Sequence, residues 1–109
     1  MKTVTQITSK TTGVTCDAYV GEITTVALTD AADTGFSFTV TNKKARPGCQ
    51  IMLSPIYAGT TGDIALQLVS QTKGSFVVKV KNVGTAVLNA VAKINFRIIR
   101  PKAIFSFNI

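Results

Sequence analysis

Hydrophobic and polar residues alternate along three segments of the chain: Gly35–Thr41, Ser75–Asn82 and Ala92–Arg100. A repeat of two residues with one apolar side is typical of a β-strand that buries one face and exposes the other. The residues on the apolar side are Phe36, Phe38, Val40, Phe76, Val78, Val80, Ala92, Ile94, Phe96 and Ile98. We therefore predict three half-buried strands whose apolar side chains line one hydrophobic core.

Five further segments carry weaker strand patterns. They are Thr3–Thr8, Val14–Tyr19, Glu22–Thr29, Gln50–Tyr57 and Asp63–Ser70. Pro55 cannot donate a hydrogen bond to a neighbouring strand, so the strand that contains it is expected at a sheet edge or at a bulge. Turns rich in glycine, proline and aspartate separate the segments, and helix signals are nearly absent. The patterns predict an all-β chain that forms a single β-sandwich domain over residues 1–109, of jelly-roll or related Greek-key type.

Composition supports a globular domain and reveals an uneven charge. The chain has 109 residues, of which 46% are hydrophobic, and a formal net charge of +7. Residues 1–63 hold five acidic and five basic residues, whereas residues 64–109 hold seven basic residues and no acidic one. A segment with one sign of charge indicates an acidic partner, which is a protein surface, a nucleic acid or a lipid.

Four basic residues share the outward side of two strands that follow one another in the chain. They are Lys79, Lys81, Lys93 and Arg97. We expect them to lie close together as one basic face that contacts the acidic partner. Val77, Val91 and Ile99 lie on the same side, so both a solvated face and a protein-binding face explain the pattern.

Other partners fit less well. Readers of single-stranded nucleic acid need exposed aromatic rings, whereas Phe76 and Phe96 fall on the inward side, and the chain has no basic helix for duplex binding. The longest uncharged run, Pro47–Gly62, contains polar residues and proline, which argues against a membrane span. The polar stretch after Met1 lacks the apolar core of a signal peptide.

No residue pattern predicts catalysis, a cofactor or a metal site. The chain has no histidine, which is the most common general base and metal ligand. Cys16 and Cys49 alone cannot complete a zinc site, and we expect two buried thiols, although one disulfide is possible. Asp30 and Asp33 are the nearest pair of carboxylates, and a turn that caps backbone groups explains them better than a cation site.

The C-terminal segment after Arg100 is unusually apolar for a chain end. Its apolar residues are Ile104, Phe105, Phe107 and Ile109. One hypothesis is a last strand of the same sheet. The other is an intersubunit arm, residues 101–109, that pairs with a neighbouring chain.

A series of strand segments between residues 20 and 99 resembles small virion proteins of tailed bacteriophages. The segments are Glu22–Leu28, Phe36–Asn42, Gly74–Val80, Leu88–Ala90 and Lys93–Phe96. The family comprises capsid decoration or cement proteins and related fibre domains. The resemblance implies a β-sandwich or jelly roll, a homotrimer, a place in the virion after assembly in the host cytoplasm, and the major capsid protein or another virion protein as partner. The implied function is to bind the outer shell and bridge neighbouring capsid subunits.

An alternative is an adhesin-type module, a fibre or receptor-binding domain that contacts host surface sugars. Sugar sites usually present exposed aromatic rings. Tyr19 and Tyr57 are the candidates, and the absence of tryptophan weakens this alternative.

Overall fold

The structure, a computed structural model, describes residues 1–100 and contains eight strands and no helix in that range. The strands are β1 (Lys2–Thr5), β2 (Val14–Thr15), β3 (Val20–Thr24), β4 (Gly35–Thr41), β5 (Gln50–Tyr57), β6 (Ile64–Thr72), β7 (Ser75–Asn82) and β8 (Ala92–Ile99). The all-β prediction is confirmed. The three strongly alternating segments are β4, β7 and β8, whereas β1, β2 and β3 are shorter than the patterns predicted.

The strands form two four-stranded sheets that pack against each other. Sheet A has the order β1-β3-β8-β5, and sheet B has the order β2-β4-β7-β6. The pairs β1–β3 and β2–β4 are parallel, and the other neighbours are antiparallel. The predicted β-sandwich is therefore confirmed, while its jelly-roll or Greek-key type stays a prediction.

The core lies between the sheets and contains all ten residues that the alternation placed inward. At its centre the rings of Phe76 on β7 and Phe96 on β8 meet edge to face. Their centroids are 5.4 Å apart and their planes are inclined by 65°. An edge-to-face pair of this kind is stabilised by the ring quadrupoles in addition to the burial of area. This contact therefore joins sheet B to sheet A.

The long edge strands lie on the same side of the sandwich. Within residues 1–100, β5 is the last strand of sheet A, as Pro55 predicted. The last strand of sheet B is β6, where a bulge between Leu68 and Ser70 leaves Val69 exposed. Bulges of this kind interrupt an edge and limit unwanted pairing. The predicted arm, residues 101–109, lies outside the described residues.

Gly21 of β3 lies opposite Phe96 and has no room for a side chain. A Cβ atom at this position would lie 2.5 Å from two atoms of the Phe96 ring and 2.9 Å from the sulfur of Cys16. The ring cannot move aside freely, because Phe76 packs against it. Glycine is therefore required here for close approach, not for an unusual backbone angle.

We predict that Gly21→Ala lowers the free energy of unfolding by about 1–3 kcal/mol, the usual cost of overpacking a core. Denaturant unfolding measures the loss. The control is the double-mutant cycle with Phe96→Leu, which frees the space that the new methyl group needs. The two changes should be strongly non-additive, and simple additivity would contradict the proposed clash.

Candidate protein-binding surfaces

Within the described residues, no group of three or more histidine, cysteine, aspartate or glutamate side chains could hold a metal ion. Over the same range, no helix has the length and apolar character needed to cross a membrane. The side chains that remain as candidates lie on the sheet surfaces and in the loops at the two ends of the sandwich.

The two cysteines are buried free thiols, as expected, and do not form the possible disulfide. Burial raises the pKa of the Cys16 thiol, an effect that nearby Lys2 partly opposes and that Asp17 reinforces. A raised pKa leaves less of the reactive thiolate at neutral pH. Cys16 therefore packs in the core as a neutral, buried side chain.

The aspartate pair forms part of a turn. The carboxylate of Asp30 is buried and binds the ammonium group of Lys10 at 2.9 Å. Asp33 adopts a positive φ of 63°, and the Thr34 hydroxyl donates to the carbonyl of Ala31 at 2.6 Å. The segment is therefore a turn, as predicted, but the side chain that binds a backbone group there is Thr34, whereas the Asp30 carboxylate binds Lys10.

The four basic residues expected to form one face lie on opposite sides of the molecule, so that expectation is wrong. Lys79 and Lys81 are on β7 of sheet B, whereas Lys93 and Arg97 are on β8 of sheet A. The outward sides of two packed sheets point in opposite directions. The segment between β7 and β8 carries the chain from one sheet to the other, so closeness in sequence does not bring the two pairs together.

The outer face of sheet A mixes aliphatic and basic side chains with one acidic residue, Glu22, which lies 4.0 Å from Lys93. Arg97 lies between Val20 and Met52 on the neighbouring strands, and Lys93 lies beside Ile56. Met52 and Ile56 are 58% and 52% exposed. We call this surface face A and define it by Val20, Met52, Ile56, Lys93, Asn95, Arg97 and Ile99.

A shallow recess of about 300 Å³ lies on face A and includes Val20, Met52 and Arg97 in its lining. Asn95, also in the lining, has a side-chain oxygen that is shielded from solvent but meets no hydrogen-bond donor in the described part of the chain. Buried polar atoms in proteins usually have a partner. Face A therefore combines exposed apolar area with an unused acceptor.

The outer face of sheet B is polar around its two lysines, although Val77 on β7 and the exposed Val69 on β6 also lie outside the core. Lys79 lies between Ser37 and Gln67, and Lys81 lies between Gly35 and Ala65. Isolated lysines among small polar residues are typical of a solvated surface. The two sheets thus present different outer faces, although their strand patterns are alike.

The loops divide the charged residues between the two ends of the sandwich. At one end, which we call the basic end, the strands β2, β4, β6 and β8 finish and β3, β5 and β7 begin. Its basic residues are Lys2, Lys43, Lys44, Arg46, Lys73 and Arg100, and its acidic residue is Asp17. Among residues 1–100, the opposite loops carry Asp30, Asp33 and Asp63 with a single base, Lys10. The sequence alone does not reveal this separation, because residues 1–63 are neutral in sum.

Buried amide side chains hold the loops of the basic end in place. Asn42 is fully buried, donates to the carbonyl of Ala18 at 2.8 Å and accepts from the backbone N–H groups of Lys44 and Ala18. The amide of Gln71 donates to the carbonyls of Arg46 and Cys49 at 2.8 and 2.7 Å. The loop between β4 and β5 is therefore tied both to the loop after β2 and to the end of β6.

The two tyrosines proposed as sugar contacts have different surroundings. The Tyr57 hydroxyl donates to the Thr61 carbonyl and accepts from the Asn89 N–H, both at 2.7 Å, so this residue fixes a loop. Tyr19 is 39% exposed at the basic end. The side-chain charges of Lys44 and Arg100 lie 5.2 and 5.4 Å from its ring centroid, within the range of cation–π contacts.

Comparison with known proteins adds no relative. No protein-family model, curated protein or solved structure matches this chain. Function therefore has to be inferred from face A, the basic end and the sequence resemblance.

We predict that Asn42→Ala lowers the free energy of unfolding by about 1–3 kcal/mol, because it leaves partly buried backbone groups of Ala18 and Lys44 without partners. The matched control is Asn95→Ala, which removes an oxygen that has no donor and should change stability by less than about 0.5 kcal/mol. Thermal and denaturant unfolding of both variants measure the difference. Equal losses would contradict the anchoring role of Asn42.

Proposed function

We propose that this chain is a structural protein of a bacteriophage virion, a capsid decoration or cement protein that binds the outer shell and bridges neighbouring capsid subunits. The partner is the major capsid protein or another virion protein. The observation that carries the proposal is face A, a sheet surface that exposes apolar side chains around an arginine. The sequence resemblance supplies the virion context.

Face A has the composition of a protein interface. Methionine and arginine are enriched in such interfaces, and arginine is among the residues that most often dominate binding. Met52 and Val20 flank Arg97 in this way. The outer face of sheet B lacks these features.

Many copies on a symmetric shell reduce the affinity that each contact needs. Linked or repeated sites raise the effective concentration of the next contact, so weak individual interfaces suffice. A rigid sandwich with one apolar face fits this role, because little conformational freedom is lost when it binds.

The double variant Met52→Ser/Ile56→Ser should weaken binding to shells assembled without this protein by about tenfold or more, because two apolar contacts are lost. The matched control is Val69→Ser/Val87→Ser, which removes aliphatic side chains with similar exposures of 51% and 50% outside face A. Cosedimentation with the shells measures both. Equal effects, or no effect of either variant, would count against face A. If the number of copies per particle matched the tail or the vertices rather than the number of capsid subunits, the fibre alternative would be favoured.

The proposed assembly is a homotrimer in which the arm, residues 101–109, contacts a neighbouring subunit. The support is the apolar sequence of Ile104, Phe105, Phe107 and Ile109 directly after the end of β8. An extended segment added to a sheet edge gains backbone hydrogen bonds as well as apolar burial.

Analytical ultracentrifugation should show a trimer for the full chain and a folded monomer for a chain that ends at Pro101. Circular dichroism and thermal unfolding of the shortened chain provide the control for folding. A monomeric full chain would refute the trimer. Loss of folding on truncation would show that the segment is a strand of its own domain.

A further inference from the structure

The basic end carries six basic residues that have no acidic partner in the described part of the chain. Residues 1–100 form two ion pairs, Lys10 with Asp30 and Lys93 with Glu22, and neither pair lies at the basic end. The acidic residue of this end, Asp17, accepts a hydrogen bond from the backbone N–H of Lys43 at 2.9 Å. The positive charge at this end is therefore not neutralised by other groups of residues 1–100.

The charges are displayed on loops with fixed positions. Asn42 and Gln71 bind the loop that carries Lys43, Lys44 and Arg46, as described above. The turn that carries Lys73 is bound to the same loop, because the N–H of Gly74 donates to the carbonyl of Ala45 at 2.9 Å. Loops that are ordered before binding lose less entropy when a partner docks.

Two arginines face a common recess at this end. The recess has a volume of about 370 Å³ and is lined by Arg46, Gly48, Cys49 and Arg100. A guanidinium group presents a planar set of donors that matches the two oxygens of a carboxylate. The arrangement therefore suits side chains of aspartate or glutamate.

The recess is continuous with face A. A second recess of about 300 Å³ is lined by Gly48, Gln50, Ile99 and Arg100, and Ile99 belongs to face A. Ile99 lies opposite Gln50 at the end of β8. A partner seated on face A can therefore reach the arginines without leaving the surface.

From these observations we infer that the basic end is a docking surface for the acidic side chains of the protein that binds face A. The inference rests on the proposed function, because it names the chemistry of the shell surface next to face A. The partner presents aspartate and glutamate side chains to Arg46 and Arg100, with Lys43 and Lys73 at the rim. Nucleic acid fits less well, because among residues 1–100 the basic end exposes a single aromatic ring, Tyr19, and the charges of Lys44 and Arg100 already lie 5.2 and 5.4 Å from its centroid.

Poly-L-glutamate is the probe, and the full chain is the protein tested. Lys43→Gln/Arg46→Gln should weaken its binding at low salt by about tenfold, since each exposed charge pair contributes modestly. The matched control is Lys79→Gln/Lys81→Gln, which also removes two charges from the net charge of +7 but lies on the outer face of sheet B. The control should bind within about twofold of the original chain, and unchanged thermal unfolding shows that both variants are folded.

Two outcomes would overturn the inference. Equal weakening by the two variants would mean that binding follows net charge and not the basic end. The original chain could instead bind oligothymidylate more tightly than polyglutamate of equal charge. If the Lys43/Arg46 variant then loses binding to oligothymidylate to the same extent, the basic end is a nucleic-acid surface.

Binding to shells separates this inference from the proposed function. The Lys43/Arg46 variant should bind the shells more weakly and with a smaller salt dependence than the original chain. If it binds them normally while the Met52/Ile56 variant does not, the basic end is not part of the interface and the proposed function still stands. If neither variant affects shell binding, but the Lys43/Arg46 variant binds polyglutamate more weakly, the proposed function fails and the preference of the basic end for acidic side chains remains.

Discussion

The edge-to-face contact between Phe76 and Phe96 is the constraint on which much of the molecule depends. It places β7 and β8 on opposite sheets with their apolar sides toward each other. Because strand side chains alternate strictly, the neighbours Val77 and Arg97 must point away from the core in opposite directions. The same ring excludes a side chain at Gly21. One core contact thus determines the direction of the outward residues on both central strands.

The alternation of residues was enough to predict the strands and the core, but not the surfaces. It is a local property that says which side of a strand faces inward, and all ten predicted residues are buried. It does not say to which sheet a strand belongs. Lys81 and Lys93 are close in sequence, yet the connection between β7 and β8 changes sheets. The single basic face was therefore wrong for a topological reason, although each side chain was correctly placed outward.

The separation of charge between the two ends also depends on topology. Asp30 and Arg46 lie in the part of the sequence that is neutral in sum, but β4 runs from one end of the sandwich to the other between them. The loops are then fixed by buried amides, Asn42 at the basic end and Asn82 at the other. An asparagine after a strand indicates a turn in the sequence. Nothing in that pattern tells which distant backbone groups its amide will bind.

In the proposed docking, face A and the basic end are suited to different parts of the same binding event. Charges on exposed loops are screened beyond about 8 Å at physiological salt and contribute little affinity, but they orient a partner during approach. Apolar side chains around Arg97 act only after contact, when water is removed from them. Since Ile99 and Arg100 are consecutive at the end of β8, the two surfaces meet without a gap. A partner guided to the basic end is therefore already positioned to cover the apolar residues of face A.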